Sequence, residues 1–187
     1  MKERRTAKKH DSLAGQLLLA HPALREPSFS RTVILLSAHN SEGAMGVVLN
    51  RPLDKQLGEL NTDFAHSPLA GVPVYAGGPV GPEQLIIVTW QWLEADHAFQ
   101  LHFGLEPDKA AELVGTAGVT LRAFLGYAGW ERGQLERELK HDTWLVTTVE
   151  GEIMGKSDGT ALWRQILGGI DPELKLLAEE PEDPTVN

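Results

Sequence analysis

Short, continuously apolar runs rich in β-branched side chains punctuate this chain, and long stripes at helical spacing are few. Thr32-Val-Ile-Leu-Leu-Ser37 and Met45-Gly-Val-Val-Leu49 show no strict alternation and are too short for buried helices, so they predict strands covered on both faces. Ser41-Glu-Gly-Ala44 between them has the chemistry of a tight turn. Val74-Tyr-Ala76, Leu85-Ile-Ile-Val-Thr-Trp90 and Ala98-Phe-Gln-Leu-His-Phe103 read as further strands, the first two joined by the Gly77-Gly-Pro-Val-Gly-Pro82 loop. A first strand begins near Leu17, and Val119–Tyr127 and Trp144–Val149 supply later ones.

Helical patterns are inserted irregularly among these strands. Pro107 fits a helix start, with Asp108 in the first turn and Ala110, Ala111, Leu113 and Val114 in the body. The spacing predicts a second helix over Trp130–Lys140, with Leu135 and Leu139 on one face and Arg132, Glu136 and Lys140 as an outward ladder. A third opens at Asp158 or Gly159, runs through Leu162 and Ile166, and closes at Gly168-Gly169. Strands outnumber helices without regular βαβ alternation. The fold class expected is therefore α+β: a single domain with a mixed, partly barrel-like β-sheet flanked by a few helices. Its boundaries are 13–177, with a flexible basic arm at 1–12 and an acidic disordered tail at 178–187.

Composition narrows the chemistry. With 187 residues and no cysteine, the chain is long enough for one unstapled core and has no disulfide, thiolate metal site or thiol catalysis. The formal charge is −9, but the first ten residues carry +4, so the remainder is about −13. An acidic body repels phosphate backbones, which makes specific DNA binding an unexpected role. Leu13–Ala20 after the basic head is too short and interrupted for a signal peptide, and no run approaches the roughly 18 apolar residues of a membrane span. The expectation is a cytoplasmic protein with no membrane association.

Candidate site residues cluster near glycine and proline. Asn50-Arg51-Pro52 follows an apolar strand, and the proline holds Arg51 extended, so its guanidinium projects from a strand end. There it can grip a carboxylate or phosphate, or it can clamp the carbonyls of a neighbouring loop. Gly77, Gly78 and Pro79 can present backbone N–H groups to an anion, although as a sharp loop they need no ligand. Gly126, Gly129 and Gly133 bracket Tyr127 and Trp130 at a strand-to-helix corner, the kind of turn that lets a backbone approach something closely. Trp130, Gln134 and Glu138 share a helical line that either lines a pocket or plugs the corner. The seven histidines form no metal-binding pattern, and no nucleophile elbow or phosphate loop is present. No metal and no cofactor are expected.

Five motifs in order carry a family resemblance: Gly15-Gln-Leu-Leu-Leu-Ala-His-Pro22, Phe29-Ser-Arg-Thr-Val-Ile-Leu-Leu36, Gly43-Ala-Met-Gly-Val-Val-Leu-Asn-Arg-Pro52, Gly77-Gly-Pro-Val80 and Arg122-Ala-Phe-Leu-Gly-Tyr-Ala-Gly-Trp-Glu-Arg-Gly-Gln-Leu-Glu136. With them the chain resembles the YqgE/AlgH family of bacterial proteins from Leu13 to about Gly168. The resemblance implies a cytoplasmic α+β domain on a mixed, partly barrel-like sheet, and no known reaction. Family members are often labelled transcriptional regulators, yet no helix-turn-helix is visible in this sequence.

Three functions compete on these residues. In the first, a binding or regulatory module holds a small anionic metabolite or a protein partner in a cleft formed by Asn50, Arg51, Gly77, Gly78, Tyr127, Trp130 and Gln134. In the second, an enzyme uses His39 or a carboxylate such as Glu136 as its acid-base group. The third, direct DNA regulation, is disfavoured by charge. The non-enzymatic binding module is the leading expectation, and the sequence does not indicate an oligomeric state.

Overall fold

The computed structural model describes residues 12–96, 98–149 and 158–179. The basic arm up to residue 11, His97 and the acidic tail from residue 180 lie outside the described residues. The strands are β1 (Leu17–Ala20), β2 (Val33–Asn40), β3 (Gly43–Val48), β4 (Pro52–Gln56), β5 (Pro73–Ala76), β6 (Val80–Leu93), β7 (Ala98–Phe103), β8 (Val119–Glu131) and β9 (Trp144–Thr147). The helices are α1 (Leu57–Leu60), α2 (Pro107–Leu113), α3 (Gln134–Lys140), α4 (Gly159–Ile170) and α5 (Pro172–Ala178). The chain is an α+β domain whose mixed sheet forms a half-barrel.

The long strand β8 organises that sheet. Val119–Tyr127 pairs antiparallel with β6, Ala123–Leu125 pairs parallel with β5, and Ala128–Glu131 pairs antiparallel with β3. β3, β2, β1 and β9 then follow in spatial order, each antiparallel to the last. Side-chain alternation along β8 changes phase at Gly126, which has φ +72°. Phe124 and Tyr127, three residues apart, consequently face the same core cluster, as in a β-bulge.

Alternation along β1 sorts the core into two faces. Leu17 and Leu19 join the cluster that packs against Leu162, Trp163, Ile166 and Leu167 of α4. Leu18 and Ala20 join the cluster that holds Leu135 of α3 with Trp130 and Trp144. A third cluster, under α1 and α2, gathers Leu57, Val74, Ile87, Ala110 and Ala123. The apolar runs at 33–36 and 47–49 are buried throughout, as expected for strands covered on both faces.

Two local expectations change. β8 continues through Glu131, so Trp130 is a strand residue paired with Ala44, and α3 starts only at Gln134 after Gly133, which has φ +71°. Long-range pairing to β3 thus overrides the helical pattern expected from Trp130. Helix α4 runs past Gly168 and Gly169 to Ile170; Asp171 then caps α5, accepting the Glu173 N–H at 2.8 Å. The segment Pro52–Gln56 is a fully exposed edge strand, with proline and two charges where an edge is protected against further pairing. Among the described residues no helix is long and apolar enough to cross a membrane.

Candidate functional site

Asn50 is buried at the end of β3 and is occupied by structure. Its Oδ1 accepts the Val33 N–H at 2.9 Å, and its Nδ2 donates to the carbonyls of Arg31 (2.9 Å) and Gly159 (3.0 Å). It therefore joins β2, the loop before it and the start of α4. The next residue, Arg51, turns the other way and donates from Nη2 to the Pro27 carbonyl at 2.8 Å and the Ser30 carbonyl at 3.3 Å. The carbonyl clamp open to a strand-end arginine is thus made on the 27–30 loop.

Arg51 also lines a cavity of about 180 Å3, together with Ser28, Val48, Ala76, Gly78 and Pro79. Three segments distant in sequence meet there. Gly77 anchors the corner, donating to the Leu125 carbonyl and accepting the Val48 N–H, both at 2.8 Å. A Cβ on Gly78 would strike the backbone of Tyr127, so only glycine lets this corner lie against β8. Tyr127 thus contributes backbone behind the corner, while its half-buried ring packs against the α4-side core.

Trp130 and Gln134 are not among the lining residues of that cavity. They belong to a separate network centred on Glu138. Trp130 Nε1 and Trp144 Nε1 both donate to Glu138 Oε2, at 2.8 and 2.7 Å, and Gln134 Nε2 donates to Oε1 at 2.9 Å. Gln134 Oε1 in turn accepts the Glu131 N–H at 3.0 Å. The two indoles meet edge to face, with centroids 5.9 Å apart. These charge-assisted bonds join α3 to β8 and β9.

His39 and Glu136, each named by sequence reasoning as a separate acid-base candidate, lie 2.8 Å apart from Nε2 to Oε1. The Leu13 N–H donates to His39 Nδ1 at 3.0 Å. Both ring nitrogens are therefore engaged inside the fold, an arrangement for tying segments together more than for proton transfer to a ligand. Glu136, expected on an outward ladder, is turned onto β2.

Sequence reasoning missed a polar set on the α4 face. Arg122, only 7% exposed, donates from Nη1 to the Leu49 carbonyl at 3.1 Å. Its guanidinium carbon lies 4.4 Å from the centre of the Tyr75 ring and 5.1 Å from that of Trp90, both cation–π distances. The Tyr75 hydroxyl donates to Asp158 Oδ2 at 2.7 Å. Burial first, then this bond to Asp158, pushes the Tyr75 phenol up to about 12; burial lowers the proton affinity of Arg122. The available signal was one arginine in the apolar run Leu121–Leu125. Among the described residues, no group of three or more His, Asp or Glu side chains is arranged to hold a metal ion.

Comparison with known proteins agrees with this fold. A family model described as AlgH-like matches residues 17–175. A UPF0301 protein of Magnetococcus marinus is 41% identical over 179 residues, covering 89% of this chain and 94% of its own. One from Streptomyces coelicolor is 37% identical, covering 94% and 96%. The solution structure of the AlgH protein from Pseudomonas aeruginosa superposes with a TM-score of 0.65 at 26% identity, covering 97% of this chain and all of that one. A Corynebacterium diphtheriae crystal structure superposes with a TM-score of 0.69 at 23% identity, covering 93% and 95%, a likeness of fold.

Proposed function

Because this chain belongs to the AlgH-like family, whose matching relatives bear names that state no reaction, we propose from its own geometry that it is a non-enzymatic binding module taking the anionic end of a small metabolite at the Arg51–Gly78 corner. The observation that carries this reading is the cavity shared by Arg51, Ser28, Gly78 and Pro79. A guanidinium already held by two carbonyls loses little side-chain freedom when it meets an anion. At about 180 Å3 the cavity is smaller than the roughly 300–1,000 Å3 that encloses a drug-sized molecule, so it suits one carboxylate or phosphate group with the rest of the ligand outside. The acidic balance of the chain favours a small ligand over duplex DNA.

The test is amide chemical-shift mapping of the full chain titrated with acetate and with inorganic phosphate, alongside native mass spectrometry for a co-purifying molecule. Shifts centred on Ser28, Gly77 and Gly78 that vanish in Arg51→Gln support the reading, and the stronger of the two anions identifies the end group. Shifts spread over the surface, or unchanged by Arg51→Gln, refute it.

A further inference from the structure

His39 sits where Ser12 and Leu13, strand β2 and helix α3 meet, and its side chain is 5% exposed. Three bonds converge on it: Leu13 N–H to Nδ1 at 3.0 Å, Ser12 Oγ–H to its carbonyl at 2.8 Å, and Nε2 with Glu136 Oε1 at 2.8 Å. A backbone amide only donates, so Nδ1 must hold a lone pair toward Leu13. The ring hydrogen is then on Nε2 and is donated to Glu136, which fixes one neutral tautomer.

From this geometry we propose that His39 is a proton-operated latch on residues 12–14. The imidazolium carries hydrogens on both nitrogens. Protonation therefore strengthens the Nε2–H bond to Glu136 by giving it opposite charges, and it places an Nδ1–H against the Leu13 N–H, donor to donor. Release at Leu13 withdraws its side chain from the α3-side core cluster. β1 stays in place, because its own ladders to β2 and β9 do not involve His39.

Among the described residues, Glu136 is the charged group in direct contact with the ring. Across the ladder on β3 stands Ala44, and beyond it on β8 Trp130. The segment before β1 brings Ser12, Leu13 and Ala14, none of them charged. Glu42 in the β2–β3 turn, Glu131 at the end of β8, Arg132 in the turn before α3, and Lys140 one turn after Glu136 are all exposed, where solvent screens their effect on the ring.

The experiment is long-range 1H–15N NMR of the imidazoles of the full chain, with amide-exchange protection factors, from about pH 8 to about pH 5, the range in which imidazoles take up a proton. Expected is the Nε2–H tautomer at high pH. As His39 protonates, protection at Leu13 should fall about tenfold while Leu18 and Leu19 keep theirs. In His39→Asn, whose non-titrating amide oxygen stands in for Nδ1, Leu13 protection should no longer depend on protonation. In Glu136→Gln, which keeps an acceptor and removes the charge that stabilises the imidazolium, release should move to lower pH. An Nδ1–H tautomer at high pH, Leu13 opening only together with Leu18 and Leu19, acid release persisting in His39→Asn, or an unmoved midpoint in Glu136→Gln would each overturn the latch.

Discussion

Helix α3 is seven residues long, follows a glycine that offers no side-chain cap, and buries one of its residues, Leu135. Helix α4, on the opposite face of the sheet, is twelve residues long, starts from the Asp158 side chain, and buries Leu162, Trp163, Ile166 and Leu167. Isolated helices shorter than about 12–15 residues are marginal in water, so α3 owes its existence to what it docks on. Its apolar contribution is small, and the docking falls to two acidic side chains. Glu138 takes three donors and Glu136 meets His39. In α4 the apolar stripe does most of the work; polar ties such as Trp163 Nε1 to the Ala20 carbonyl at 2.9 Å supplement it. A helix held by few polar contacts is held specifically and opens in larger steps when one is lost.

The largest expected effect tests that claim directly. Glu138→Ala strands two buried indole N–H groups and the Gln134 amide, so urea unfolding should show a loss of about 3 kcal/mol. That is well above the ~1 kcal/mol typical of deleting a helix cap. A loss below about 1 kcal/mol would mean that packing at Leu135 and the tryptophans holds α3 as it holds α4.

The α4 side has its own polar tie, and it can be read by pH. The fold favours the neutral Tyr75 phenol, raising it from 10.0 to about 12. The stabilisation is therefore complete below about pH 10 and is lost as pH rises toward 12, for a total of about 2–3 kcal/mol. Tyr75→Phe should flatten that segment of the stability profile. A wild-type profile no steeper than that of Tyr75→Phe between pH 10 and 12 would show that ionising the phenol costs the fold nothing, against both its burial and its bond to Asp158.

The two faces were unequally legible in the sequence. The strands at 33–36 and 47–49 announce themselves because burial on both faces leaves an unbroken apolar run. The start of α4 shows in Asp158-Gly159 and the stripe after it. The start of α3 was displaced because the pairing of Trp130 with Ala44 is 86 residues distant in sequence and leaves no periodic trace. Trp130, Gln134 and Glu138 could be picked out as one line, but Trp144, which completes the network, carried no local signal. His39 and Glu136 stood out singly, and only folding brings them together across 97 residues. At the candidate site, Arg51 and Gly78 were marked by their proline and glycine neighbours, whereas Ser28 lies in a loop with no pattern.

A smaller effect separates steric from conformational constraint at the entrance to α3. Helix propensity alone would have Gly133→Ala gain up to about 1 kcal/mol. Gly133 has φ +71°, and the atom nearest an added Cβ is the flexible Arg137 Nη1 at 3.4 Å. Left-handed backbone, not crowding, decides the sign, so thermal unfolding should show a loss of about 1 kcal/mol. A gain would return Gly133 to the helix interior.

The smallest effect lies at the other end of α3, where Asp142 holds φ +54° just past His141. Three terms compete in Asp142→Gly. Relief of the left-handed backbone favours the variant by about 1 kcal/mol, and removing a negative charge from the carbonyl end of a helix adds about 0.3 kcal/mol. Greater freedom of the unfolded glycine opposes both by about 0.4–1 kcal/mol. The balance is a gain of about 0.5 kcal/mol, opposite in sign to Gly133→Ala although both residues are left-handed, because one exchange removes the residue type suited to that backbone and the other supplies it. Measured together by urea unfolding, the pair should bracket the parent. If Asp142→Gly instead loses stability, the aspartate contributes a contact that its backbone geometry does not reveal, and α3 would have a further polar tie beyond Glu136 and Glu138.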